Sequence, residues 1–211
     1  VTRSDNCRVS DLSVSSDNLT FTYEAKSLPY PIDTSYYDNE KHTQADALSV
    51  IPFMDEMNYE GLSVSGLSDG YYGLTIGGEF IGRFTARELE RGINMALLQN
   101  TPQYKQAMKI RQMNEERWLK ERKMREFYWV EYNLMRKTCM LWACNEAAVD
   151  TLRKYRPHDI FLQWNGALWL QYMHKGIRED CVNEQQDLVN QIYEQNKPIP
   201  LQIEIKKFTD L

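Results

Sequence analysis

Apolar and polar residues alternate in the first stretches of the chain. Arg8-Val9-Ser10-Asp11-Leu12-Ser13-Val14 and Leu19-Thr20-Phe21-Thr22-Tyr23 flank the cluster Ser15-Ser16-Asp17-Asn18. A period near two around a turn-forming cluster predicts a β-hairpin. Residues 27–60 lose that period and carry Pro29, Pro31 and Pro52, which predicts a long loop laid over another surface. Alternation returns in Leu62-Ser63-Val64-Ser65-Gly66-Leu67, in Tyr72-Gly73-Leu74-Thr75-Ile76 and in Glu79-Phe80-Ile81-Gly82. Gly77-Gly78 supplies the positive φ values of a two-residue hairpin turn. Three short strands with one apolar face predict a small antiparallel β-sandwich.

The period changes at Thr85. Thr85-Ala86-Arg87-Glu88 is a capping box, in which the Thr hydroxyl and the Glu carboxylate satisfy amides at a helix start, and Gly92 closes that helix. Thr101-Pro102 opens another helix, with Thr as cap and Pro in the first helical position. From Gln103 to about Lys137 there is neither Gly nor Pro, so one helix of roughly 30 residues is predicted. Pro157 interrupts. A second long helix is predicted from about Asp159 to Asn196, with apolar positions at Leu168, Tyr172, Ile177, Cys181, Leu188 and Ile192, ended by Pro198 and Pro200. Leu201-Gln202-Ile203-Glu204-Ile205 alternates and reads as a last strand returning to the sheet. The expected class is α+β: a small antiparallel β-sandwich (residues 1–100 plus 198–211, with a short helix) into which a long antiparallel helical hairpin (residues 101–197) is inserted.

Composition narrows the function. Of 211 residues, 42% are hydrophobic and 12% aromatic, enough for a core and too apolar for a disordered chain. A formal charge of −5 argues against nucleic acid as the main partner. Residues 105–137 do hold ten Lys/Arg against five acids, interleaved with Trp118, Phe127, Tyr128 and Trp129. That stretch reads either as an anion-binding helix or as a solvated face carrying Glu116–Lys120 and Glu121–Arg125 pairs with its aromatics turned inward; the second is favoured. No apolar run approaches the roughly 18–20 residues of a membrane span. The polar start, Val1-Thr2-Arg3-Ser4-Asp5-Asn6, has neither a Met nor a signal-peptide core, and is read as that of a processed or trimmed chain.

Candidate chemistry is sparse. Gly61-Leu62-Ser63-Val64-Ser65-Gly66 misses the nucleophile-elbow spacing by one residue, so Ser63 and Ser65 are read as strand positions. His158-Asp159 imitates a base with its orienting carboxylate, but Asp159 also suits a helix N-terminus, the preferred reading. His42 stands apart; His174 and Cys181, seven residues apart, could share a helix face without making a metal site. Cys7, Cys139, Cys144 and Cys181 follow no redox or zinc spacing and are compatible with buried free thiols, with one disulfide or with a metal site, in falling order. Cys144 carries no pattern of a thiolate nucleophile. No phosphate-binding glycine loop is present.

Four segments together resemble a bacterial family. They are Leu62-Ser63-Val64-Ser65-Gly66-Leu67; Gly70-Tyr71-Tyr72-Gly73-Leu74-Thr75-Ile76-Gly77-Gly78; Gly82-Arg83-Phe84-Thr85-Ala86-Arg87-Glu88-Leu89 with Gly92-Ile93-Asn94-Met95-Ala96; and Thr101-Pro102-Gln103-Tyr104. The series resembles the region downstream of the catalytic core in a subgroup of SGNH/GDSL-type ester hydrolases, and Asn196-Lys197-Pro198-Ile199-Pro200 with its strand resembles that family's last element. The family's Gly-Asp-Ser block and its Asp-x-x-His pair are both absent from this sequence. The resemblance therefore implies a non-catalytic accessory, lid or brace region. Its partner would be an upstream hydrolase domain of the same protein, its substrate a carbohydrate ester, and its location secreted or periplasmic. No catalytic residue, metal or cofactor is assigned. The polar groups set among aromatics, Asn114, Arg117, Trp164 and Asn165, are the candidate substrate contacts. The competing expectation is a stand-alone glycan- or protein-binding sandwich, with Tyr30, Tyr36, Tyr37, Tyr71 and Tyr72 stacking on sugars; an intact enzyme of another type is the third.

Overall fold

The computed structural model describes residues 1–34 and 41–208. The chain divides into two compact units, Val1–Arg111 with Glu194–Leu211, and Gln112–Tyr193.

The first unit is built on one five-stranded sheet in the order β1-β2-β7-β4-β5, every pair antiparallel. The strands are β1 (Cys7–Val14), β2 (Asn18–Ala25), β4 (Tyr71–Ile76), β5 (Glu79–Thr85) and β7 (Leu201–Lys207). The last strand does return, and it takes the centre of the sheet. Its register aligns the apolar alternation of three strands: Phe21 faces Ile203, which faces Ile76, and Leu19 faces Ile205, which faces Leu74. Ile76, Ile203, Ile205 and Leu74 are buried, while Thr20, Glu204 and Gln202 occupy the other face. Each such aliphatic side chain contributes on the order of 1.5–3 kcal/mol of transfer free energy. The β4–β5 turn is made by Gly77 at φ 58° and Gly78 at φ 82°, a left-handed pair that L-residues with a Cβ resist.

The layer over this sheet differs from the predicted sandwich. Leu62 of β3 (Gly61–Leu62), Leu89 of α3 (Ala86–Arg91) and Met95, just after β6 (Ile93–Asn94), share its core. Of the predicted strand 62–67 only Leu62 enters a ladder, opposite Ile93, with its neighbour Gly61 opposite Asn94. Beyond them, Val64 N–H donates to the Leu89 carbonyl instead. Alternation reports that one face is covered; it does not report by what. The capping box forms as read, Thr85 Oγ1 accepting from Glu88 N–H at 3.1 Å and Glu88 Oε2 from Thr85 N–H at 2.7 Å. Described parts of residues 27–60 form a loop with two single-turn helices, α1 (Gln44–Ala47) and α2 (Phe53–Glu56). They gather Ile32, Met54 and Ala96 into a small core.

The second unit is helical. α4 (Pro102–Val130) and α7 (Lys175–Gln195) carry the chain into and out of it, and α5 (Glu146–Tyr155) and α6 (Ile160–Tyr172) lie within it. Phe127, Val130, Met135, Ala148, Leu152 and Trp169 are its most buried hydrophobic residues. The first long helix stands where it was expected. The simple hairpin does not: α5 is an extra helix, capped by Asn145 Oδ1 accepting from Ala148 N–H at 3.0 Å, and the second long helix is broken between Tyr172 and Lys175. The break has a side-chain cause. The Arg178 guanidinium donates to the Tyr172 and Met173 carbonyls at 2.6 and 2.8 Å, satisfying the C-terminus of α6 so that α7 starts afresh. No helix among the described residues is long and apolar enough to cross a membrane.

Candidate functional site

The most organised polar arrangement in the second unit begins where α4 widens into a π-helical turn, Glu131–Met135. Such turns add a residue to a helix and often accompany functional sites. Glu131 is only 1% exposed, yet both carboxyl oxygens are satisfied: Oε1 accepts from the Trp169 indole N–H at 2.7 Å and Oε2 from Trp142 N–H at 2.8 Å. The second bond holds Trp142 at φ 62°, a left-handed conformation costing about 1–2 kcal/mol for a residue with a side chain. The Trp142 ring then meets Tyr128 and Tyr132 edge-on, each at 6.0 Å. Glu131 therefore shapes a surface from within the core and touches no solvent itself.

Beside this turn lies an open groove of about 460 Å³. Leu134 and Leu162 form its buried base; Trp129, Tyr155, Lys137 and His158 are among its walls. An aromatic row leads out of it, Trp129 to Phe161 at 5.3 Å and Phe161 to Trp164 at 5.5 Å. Asp159 also faces the groove, with Oδ1 accepting from Phe161 and Leu162 N–H at 2.8 and 3.2 Å. It is the N-cap of α6, as its position after Pro157 suggests.

In the first unit, Glu60 accepts from the Tyr23 hydroxyl at 2.9 Å and from Gln103 Nε2 at 3.2 Å. Burial raises the Glu60 carboxyl above the ordinary Glu range, outweighing the two hydrogen bonds that pull it down. Burial, then the neighbouring Glu60, pushes the Tyr23 phenol up as well. Gln103 Oε1 is buried without a hydrogen-bond partner among the described residues. Tyr104 donates to the Ile32 carbonyl at 2.6 Å, and Asp33 is ion-paired with Arg111. The Thr101-Pro102-Gln103-Tyr104 segment thus holds Ile32 and Glu60 in place.

The sequence-derived candidates separate into two places. Arg117 donates to Asn114 Oδ1 at 3.0 Å on α4 and pairs with Glu121 at 3.2 Å. Trp164, 66% exposed, ends the aromatic row on α6, with Asn165 half-buried beside it. Among the described residues no hydrogen bond or ring contact joins one pair to the other. Ser63 Oγ donates to the Glu90 carbonyl at 3.1 Å, a structural role. His174 does not meet Cys181; its Nδ1 lies 3.3 Å from Cys144 Sγ. Cys181 is buried, whereas Cys139 and Cys144 are exposed, contrary to the favoured expectation of buried thiols. The ion pairs Glu116–Lys120 and Glu121–Arg125 form at 3.7 and 3.3 Å, but of the aromatics beside them only Phe127 is fully buried. Trp118 and Tyr128 are exposed, Trp118 lying under Arg122 and Arg125. Tyr72 is buried and unavailable for stacking, Tyr30 and Tyr71 are exposed, and Tyr36 and Tyr37 lie outside the described residues. Glu131 and the Trp129 groove escaped the sequence reading; a lone Glu in an aromatic run, Tyr128-Trp129-Val130-Glu131-Tyr132, is the signal that marks them.

Residues 108–197 match the family model described as the diltiazem deacetylase C-terminal helical domain, a span close to that of the second unit. The chain is also similar to the solved structure of BT4096, a gut microbial diltiazem-metabolizing enzyme, with 35% identity and a TM-score of 0.90 over 98% of this chain. It spans 47% of that enzyme, about half its length. No curated protein matches the chain.

Proposed function

We propose that this chain is the non-catalytic accessory region of a serine ester hydrolase of the SGNH/GDSL type. The catalytic serine and its Asp-x-x-His pair would lie in a part of the protein outside these 211 residues. The observation that carries this is the likeness of nearly the whole chain to about half of a drug-metabolizing enzyme, together with a deacetylase helical domain matched at residues 108–197. A deacetylase removes an acetyl group, and the substrate class proposed here is acetyl esters of carbohydrates, met outside the cytoplasm. The helices would act as a lid or brace for the catalytic part.

Acetate release tests the proposal. The full-length protein should hydrolyse p-nitrophenyl acetate and acetylated xylo-oligosaccharides, and the 211-residue chain should hydrolyse neither. Turnover by the chain alone would contradict the accessory role. A full-length protein inert toward both esters would contradict the hydrolase reading.

A further inference from the structure

We propose that the groove beside the π-turn is a binding site for a neutral oligosaccharide. It is built from apolar and polar parts in the proportion such a ligand requires. Trp129 and Tyr155 line it over a base of Leu134 and Leu162, and the aromatic row continues outward through Phe161, 49% exposed, to Trp164. Sugar rings have an apolar face of C–H groups that packs on aromatic rings and an equator of hydroxyls that both donate and accept. The walls supply both kinds of partner: Lys137 donates, the Asp159 carboxylate accepts, Asn133 and His158 can do either, and Thr138, whose hydroxyl donates to the Leu134 carbonyl at 3.0 Å, can accept.

Charge decides against an ionic ligand. One cation and one carboxylate line the groove, so their charges offset each other. The carboxylate is fixed there by the two α6 amides it caps. An anionic ligand would meet Asp159 and a cationic one Lys137, whereas a neutral polyol can use both. The volume, about 460 Å³, lies in the usual range for ligand sites, roughly 300–1,000 Å³, and the row of exposed rings extends the contact beyond one sugar unit. The proposal does not rest on the esterase reading, because it concerns binding by this chain alone.

Calorimetric titration of the 211-residue chain with xylohexaose, cellohexaose and mannohexaose, and with trigalacturonic acid as the anionic control, tests it. At least one neutral hexaose should bind saturably, and the acid should bind at least tenfold more weakly. Trp164→Ala should weaken binding about fivefold or more, a loss of roughly 1 kcal/mol, without changing the melting temperature. Trp129→Ala should abolish binding while Trp129→Phe retains most of it, and Tyr71→Ala, at an exposed ring of the other unit, should leave it unchanged. No saturable binding of any neutral hexaose up to about 10 mM, or binding that survives both Trp164→Ala and Trp129→Ala, overturns the proposal. Sugar binding is read here without ester turnover, so failure of this site and failure of the hydrolase reading are separate results.

Discussion

The Trp169 indole N–H donates to Glu131 at 2.7 Å, and neither side chain reaches solvent. This bond joins α6 to the π-turn that ends α4. The other oxygen of the same carboxyl holds the backbone of Trp142. One buried group therefore fixes both a helix contact and a strained surface residue.

Replacing Glu131 by Gln keeps the shape but turns an N–H₂ toward one of two N–H donors. Leaving a buried donor unmet costs about 1–3 kcal/mol. The Glu131→Gln variant should lose stability by that amount in urea unfolding. Trp169→Phe should cost more, because it also leaves space in the core and a buried carboxyl oxygen unmet, and the double variant should cost less than the sum, since both remove one interaction. Additive losses would mean that the two side chains act independently.

Glu60 should make stability depend on pH. Its folded-state pKa is raised, so the folded chain holds this proton more tightly than the unfolded chain. The stabilising contribution is full below the ordinary carboxylate range, about pH 4, and is lost as pH rises through the folded value. The stability of the parent relative to Glu60→Gln should accordingly fall between acidic and neutral pH. A difference that grows with pH would contradict the burial argument.

The Gly77-Gly78 turn gives a local test. Gly78 has φ 82° and open space where a Cβ would be, so substitution there reports backbone conformation alone. Gly78→Ala should destabilise the chain by about 1–2 kcal/mol, and Gly78→Asn by less, because Asn tolerates the left-handed region. Equal costs would point to an effect other than φ.

Features set by neighbours in sequence were readable before the structure. The Ser15–Asn18 turn, the Thr85–Glu88 box, the Thr101-Pro102 helix start and the alternation in 201–205 each depend on a few adjacent residues. What escaped depends on partners far along the chain or on space. The α6–α7 break is made by Arg178 reaching back to the carbonyls of Tyr172 and Met173. The covering of the sheet by α3 and the short β3–β6 ribbon leaves the alternation of β4 and β7 unchanged, so a sandwich looked equally suitable. Glu131 sits in a helix without Gly or Pro, and only its burial beside Trp169 reveals its role. Of the candidate contacts, Trp164 lies against Phe161 in the aromatic row, whereas Asn114 and Arg117 bond to each other on α4.

In the proposed function the reacting serine lies outside this chain. Intact-mass and peptide analysis of the full-length protein after fluorophosphonate labelling tests it most directly. One adduct is expected, on a serine beyond these 211 residues, and an unlabelled chain when the chain is treated alone. An adduct on a serine within the chain, or a full-length protein that takes no label, would contradict it.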